Sequence, residues 1–116
     1  MEIFRFDRDE RVIRAHGSIG LHATRIASGD GDMSLTFLAV RPGGIIGAHP
    51  TTADQLFLVI GGSGWVAGAD GIRHAIQAGQ GVHWGAGEVH TSGTDTSLTA
   101  LAVEGSSLGL FEPERS

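Results

Sequence analysis

The chain of 116 residues contains no cysteine and only three prolines. Without cysteine it forms no disulfide and offers no thiolate, which favours a cytoplasmic location. No apolar run approaches the roughly 20 residues that span a bilayer. The first residues mix acidic and basic side chains and lack the apolar segment of a secretion signal. We therefore expect no membrane partner.

The chain also lacks any cluster of basic residues, and its formal net charge is −5. A protein that binds nucleic acid neutralises phosphates with grouped Lys and Arg side chains. The charge pattern therefore argues against a nucleic-acid partner.

Glycine is abundant: 19 residues, more than twice the usual share of about 7%. Gly and Asp turns are predicted at residues 28–31, 42–44, 61–64 and 70–71, and they separate short segments rich in β-branched and apolar residues. These segments are Leu21–Ala27, Asp32–Arg41, Asp54–Ile60, Gly64–Gly68, Ile72–Gln77, Gly81–Trp84, His90–Ser92 and Ser97–Val103. The pattern predicts an all-β antiparallel sandwich or barrel that forms a single domain over residues 1–116.

Alternation along the segment after Ala48 places polar and apolar side chains on one face. The residues that share this face are His49, Thr51, Gln55, Phe57 and Val59. Polar groups at one end and apolar groups at the other are what a pocket for a small ligand requires.

The opposite face of the same strand, formed by Leu56, Leu58 and Ile60, is also apolar. A strand that is apolar on both faces is buried on both faces. A second copy of the chain would cover the outer face, which predicts a homodimer. The alternative is that N-terminal residues such as Ile3 and Phe4 fold over that face within one chain.

Two glycine-bounded segments carry the remaining information. In the first, Gly43 is followed at fixed spacing by His49, Thr51, Gln55 and Gly62. The second contains, in order, Gly79, Gly85, Gly87, His90 and Thr94. These spacings resemble the paired motifs of the cupin superfamily over about residues 32–104.

The resemblance implies an antiparallel cupin barrel (a jelly roll, or double-stranded β-helix) that commonly pairs into dimers. In that family His, His, Glu and His usually stand where this chain has His49, Thr51, Gln55 and His90. Pro and Asn are usual at the positions of Gly85 and Thr94. The chain thus keeps two of four expected metal ligands.

Two functions follow from the resemblance. The first is binding of a small organic ligand in the barrel, without established turnover. The residues expected to bind it are His49, Thr51, Gln55, Phe57, Trp84 and His90. The alternative is an oxygenase, isomerase or lyase in which His49, Gln55 and His90 hold a divalent metal such as Zn, Ni, Fe or Mn.

The missing carboxylate favours the binding role. Alternation directs Asp54 to the opposite face, so it is a poor substitute for a Glu at position 55. Whether Glu88 or Glu104 reaches the site is left open by the sequence.

Overall fold

The computed structural model describes residues 1–8 and 10–111, and the strands among them are all paired antiparallel. The strands are β1 (Glu2–Arg5), β2 (Arg11–Ile13), β3 (Leu21–Ala23), β4 (Ala27–Val40), β5 (Ile45–Pro50), β6 (Asp54–Ala67), β7 (Arg73–Gln77), β8 (Gln80–Trp84) and β9 (Val89–Leu110). A short 3-10 turn, Ala15–Gly17, lies between β2 and β3. Within the described residues, no helix is long and apolar enough to cross a membrane.

Two long strands, β6 and β9, pair with each other, and each of them also pairs with two other strands of the sheet. The first half of β6 also pairs with β8, and its second half pairs with β7. Strand β9 begins beside β5 and ends beside β4. Residues of β4, β5, β6, β7, β8 and β9 pack in one apolar cluster, so the sheet curves around an interior, in agreement with the predicted all-β class.

The interior is filled by alternate residues of these strands, as the pattern along β6 predicts. Phe57, Val59 and Trp84 are buried there with five other side chains. The five are Val66, Ile76, Val82, Leu98 and Ala100. This apolar core forms the floor beneath the polar residues of the two motifs.

The outer face of β6 is covered within the same chain. Leu56 and Leu58 are buried in a second apolar cluster with Leu108, and Phe4 and Phe6 pack against it. A second copy is therefore not needed to cover Leu56 and Leu58, and Phe4 of the N-terminal segment contributes to their cover, as the alternative expects. The third residue of that face, Ile60, stays 47% exposed.

Two glycine-rich segments predicted as turns lie inside strands. Residues 61–64 continue β6, with register shifts on both sides and Gly62 at a φ of 74°. Residues 28–31 belong to β4, and a register shift between Asp30 and Met33 accommodates them. Glycine here bends a continuous strand rather than reversing it. The turn at 70–71 is confirmed, with Gly71 at a φ of 73° between β6 and β7.

Candidate functional site

The two motif histidines meet because they are direct cross-strand partners. His49 on β5 pairs with His90 on β9, and directly opposed side chains of antiparallel strands lie close together. Their ring centroids are 4.4 Å apart, with the planes tilted by 57°. The prediction that the two imidazoles converge therefore agrees with the structure, in which His90 is buried and His49 is exposed.

A second cross-strand pair lines the same pocket as the histidines. Gln55 on β6 is the register partner of Glu104 on β9, and the amide Nε2 of Gln55 donates a hydrogen bond of 2.5 Å to Glu104 Oε1. This contact explains why an amide suits position 55. A Glu there would set two carboxylates side by side, and their repulsion would oppose ionisation of both.

These two pairs border a pocket of about 200 Å³. The residues that line it are Thr36, Leu38, Ile46, His49, Gln55, Phe57, His90, Ser92, Ala102 and Glu104. Four of the six sequence-predicted ligand-binding residues are among them. The lining combines the polar side chains of the histidines and the Gln55–Glu104 pair with apolar walls, as the alternation along β6 indicates.

Thr51 and Trp84 are not among the lining residues. The hydroxyl of buried Thr51 donates a hydrogen bond to the backbone oxygen of Gly85 at 2.9 Å. Its backbone N–H donates to the backbone oxygen of Glu88 at 3.0 Å. Thr51 therefore holds the turn before β9. Trp84 is fully buried behind the pocket, with its ring centroid 4.3 Å from that of His90. Both residues thus support the site without forming its surface.

His90 is the most unusual polar group of the site. Its side chain is 4% exposed, and its Nε2 has no hydrogen-bond partner among the described residues. Burial lowers the pKa of His90 below its ordinary value of 6.5, and the neighbouring His49 lowers it further, against the opposing effects of Glu104 and Glu88. His90 is therefore a neutral imidazole at neutral pH, with an unused ring nitrogen in a buried position.

The second carboxylate that the sequence left open, Glu88, is engaged elsewhere. It accepts hydrogen bonds from the amino group of Met1 at 2.7 Å and from the backbone N–H of Gly85 at 2.8 Å. The hydrogen bond from that amino group lowers the pKa of Glu88. Glu88 fixes the turn that leads into β9, while Glu104 is the carboxylate that reaches the pocket.

The donor set does not fit the metal that the resemblance implies. Among residues 1–8 and 10–111, no three or more His, Cys, Asp or Glu side chains are grouped so that they could hold an ion. The amide at position 55 is neutral, and its nitrogen is committed to Glu104. First-row divalent metals usually take an anionic ligand beside imidazole. His49, Gln55 and His90 are therefore a weak donor set, and we derive no reaction step from a metal.

The sequence pattern did not identify the pocket-lining residues that come from β4 and from the second half of β9. Leu98, Ala100, Ala102 and Glu104 alternate along β9, and this period-2 pattern predicts that they share a face. Their alignment with Gln55 depends on long-range register, which the pattern of a single strand does not contain.

The lowered pKa of His90 gives a testable pH dependence of stability. Between pH 7 and pH 5 the unfolded chain takes up a proton at this residue before the folded chain does, so stability falls as the pH falls. We expect His90→Gln to flatten this part of the curve, measured by urea unfolding at several pH values. The control His74→Gln alters an exposed histidine on β7. Equal slopes for wild type and His90→Gln would contradict this account of His90.

Comparison with solved structures places this geometry in a known fold. The chain superposes on a cupin-like protein from Thermotoga maritima with a TM-score of 0.61 and 15% identity, over 70% of this chain and 65% of that chain. A second similar structure is an RmlC-like cupin family protein from Methanocaldococcus jannaschii, described as having a double-stranded β-helix fold. The TM-score is 0.60 and the identity 14%, over 64% of this chain and 70% of that chain.

A third similar structure is a variant of the salicylate 1,2-dioxygenase from Pseudoaminobacter salicylatoxidans, in complex with gentisate. It gives a TM-score of 0.58 at 14% identity, over 67% of this chain and 24% of that chain. No family model matches the sequence, and no curated protein matches it. The solved structures confirm at the level of the fold the resemblance that the two motifs carry. The chain has the double-stranded β-helix fold of the cupins.

Proposed function

We propose that the barrel binds a small organic ligand in the pocket between His49, His90 and the Gln55–Glu104 pair. The ligand has an apolar body, which packs on Phe57 and the other apolar walls, and a polar end, which meets the histidines. Binding, rather than turnover, is the function that this geometry supports best.

The observation that carries the proposal is that His90, whose buried Nε2 has no hydrogen-bond partner among the described residues, lines this open space. Leaving a buried polar atom without a hydrogen bond costs about 1–3 kcal/mol, so a native protein rarely keeps one without a reason. His90 is 4% exposed and lines a pocket of about 200 Å³. A ligand that bonds His90 would recover this energy.

The pocket volume suits a ligand of about one ring with a short polar arm. A dry cavity of about 150 Å³ holds benzene, and the space here is about 200 Å³. Suitable probes are benzylamine, benzyl alcohol and benzoate, which share one ring and differ in the charge of the polar end.

Binding of the three probes is measured by isothermal titration calorimetry on the wild type and two variants. We expect at least one probe to bind the wild type and Thr36→Phe to weaken that binding at least tenfold, because Thr36 is exposed on β4 and lines the pocket. The control His74→Phe adds the same ring on β7, outside the pocket, and should bind as the wild type does. If no probe binds, or if Thr36→Phe binds as the wild type does, the proposal fails.

The alternative, a metal-dependent oxygenase, isomerase or lyase, gains no support from the residues of the site. The fold is shared with the salicylate dioxygenase, but one fold hosts many chemistries. The amide at position 55 and its bond to Glu104 favour a binding site instead.

A homodimer remains part of the proposal, on a different surface from the one predicted. Strand β4 forms one edge of the seven-stranded sheet. Its outward residues Met33, Leu35 and Phe37 are 55%, 66% and 60% exposed. A long apolar edge strand is a template for pairing with another chain, and antiparallel pairing of two β4 strands about a two-fold axis would cover both copies.

Light scattering coupled to gel filtration tests the dimer. We expect a dimer for the wild type at micromolar concentration and a monomer for Leu35→Lys, since the charge lies at the centre of the paired strands. The control Ile72→Lys changes an apolar residue that is 59% exposed in the turn before β7. A monomeric wild type would refute the dimer and leave the pocket proposal intact.

The cytoplasmic location stays a prediction from the cysteine-free composition.

A further inference from the structure

We propose that the ligand is a small protonated amine with a ring-sized apolar body, and that the Glu104 carboxylate binds its ammonium group. The inference rests on the proposed function, since it names the chemical class that the same pocket selects.

Charge is the first reason. Of the ten lining residues, Glu104 is the one carboxylate, and neither Arg nor Lys is among them. A carboxylate that faces an apolar space favours a cation, because attraction between opposite charges strengthens when water is excluded. It disfavours an anionic ligand for the same reason.

The free acceptor of Glu104 is the second reason. Its Oε1 accepts the hydrogen bond from Gln55 Nε2 at 2.5 Å. Among the residues that the structure describes, Gln55 is the one hydrogen-bond donor to this side chain. Oε2 therefore keeps its capacity to accept a further bond. The Gln55 contact also holds the carboxylate in one orientation, which reduces the entropy lost on binding.

His49 supplies a second acceptor in the lining of the same pocket. Its Nδ1 lies 2.7 Å from the backbone oxygen of Gly47. A carbonyl oxygen only accepts, so the ring donates from Nδ1, and Nε2 of the neutral ring is an acceptor. An ammonium group has three donors and no acceptor. It thus complements Glu104 and His49, whereas a ligand carboxylate has no donor to offer either residue.

The neutral state of His90 removes one competing cation from the pocket lining. Burial and the neighbouring His49 keep the pKa of His90 below its ordinary value. At neutral pH the imidazole therefore adds no positive charge that would attract an anion or repel an amine.

The test compares benzylamine, benzyl alcohol and benzoate by calorimetry at neutral pH on wild type, Glu104→Gln and Glu88→Gln. We expect the wild type to bind benzylamine at least tenfold more tightly than benzoate. Glu104→Gln should lose about tenfold in affinity for benzylamine, because it removes the charge in a side chain of nearly the same shape. Glu88→Gln makes the same charge change next to the turn, outside the pocket lining, and should stay within about twofold of the wild type.

Each outcome has a distinct meaning. Tighter binding of benzoate or benzyl alcohol than of benzylamine by the wild type overturns the amine inference and leaves the proposed function standing. An equal loss of benzylamine affinity in Glu104→Gln and Glu88→Gln also overturns the amine inference. The preference for benzylamine would then come from the overall negative charge of the protein and not from contact with Glu104. If none of the three probes binds the wild type, the proposed function and this inference both fail. The ranking on the wild type does not depend on how well a variant folds.

Discussion

Truncation of Trp84 to alanine is expected to lower the free energy of unfolding by about 3–5 kcal/mol, the range for loss of a large buried aromatic side chain. Trp84 is fully buried, and its ring lies 4.3 Å from that of His90 and 5.8 Å from that of Phe57, measured between centroids. Its removal leaves a cavity behind the pocket and frees the His90 ring. Urea unfolding followed by circular dichroism measures the loss.

The matched variant Trp84→Phe separates packing from polarity. The indole Nε1 has no hydrogen-bond partner among the described residues, so phenylalanine loses some volume but also removes a buried polar atom. We expect Trp84→Phe to cost less than half as much as Trp84→Ala. A loss below about 1 kcal/mol for the alanine variant would mean that Trp84 is not part of a packed core.

Gly62→Ala is expected to destabilise the fold by about 2–5 kcal/mol. Gly62 has a φ of 74°, where a side chain costs about 1–2 kcal/mol. A Cβ at this position would also collide with the backbone oxygen of Ser97 on β9, and forced repacking costs about 1–3 kcal/mol more. The last glycine of the first motif is therefore required by the close approach of two long strands.

Gly71→Ala is the matched control. Gly71 has nearly the same φ, 73°, and a Cβ there would have no neighbour within 4 Å. We therefore expect Gly71→Ala to lower the free energy of unfolding only by the cost of a side chain at positive φ, about 1–2 kcal/mol. Unfolding curves of the two variants give the difference directly. Equal destabilisation by both variants would contradict the role assigned to the strand contact.

The sequence predicted the fold class and the centre of the site because both depend on short-range patterns. Alternation along β6 separates the interior Phe57 from the outward Leu56, and the structure buries them in different clusters. The spacing of the two motifs predicted that His49 and His90 converge. The first of these inferences needs only the period of a strand, and the second rests on the resemblance of the two motifs to those of the cupins.

What the sequence could not provide depends on register and on long-range cover. Glu104 reaches the pocket because β9 aligns it with Gln55, 49 residues away in the chain. The cover of Leu56 by Phe4 and Phe6 likewise brings distant segments together. The glycines of 61–64 were predicted as a turn because Gly marks turns and strand bends alike, and local composition does not distinguish the two.

The central claim is that the pocket between the two histidines and Glu104 receives the ligand. A crystal structure of the wild type soaked with benzylamine tests it most directly. We expect the ring against Phe57 and the nitrogen within hydrogen-bond distance of Glu104. The chain offers a competing apolar groove of about 180 Å³ on the outer face, lined in part by Leu58 and Leu108. Benzylamine in that groove, with the interior pocket holding only water, would contradict the account.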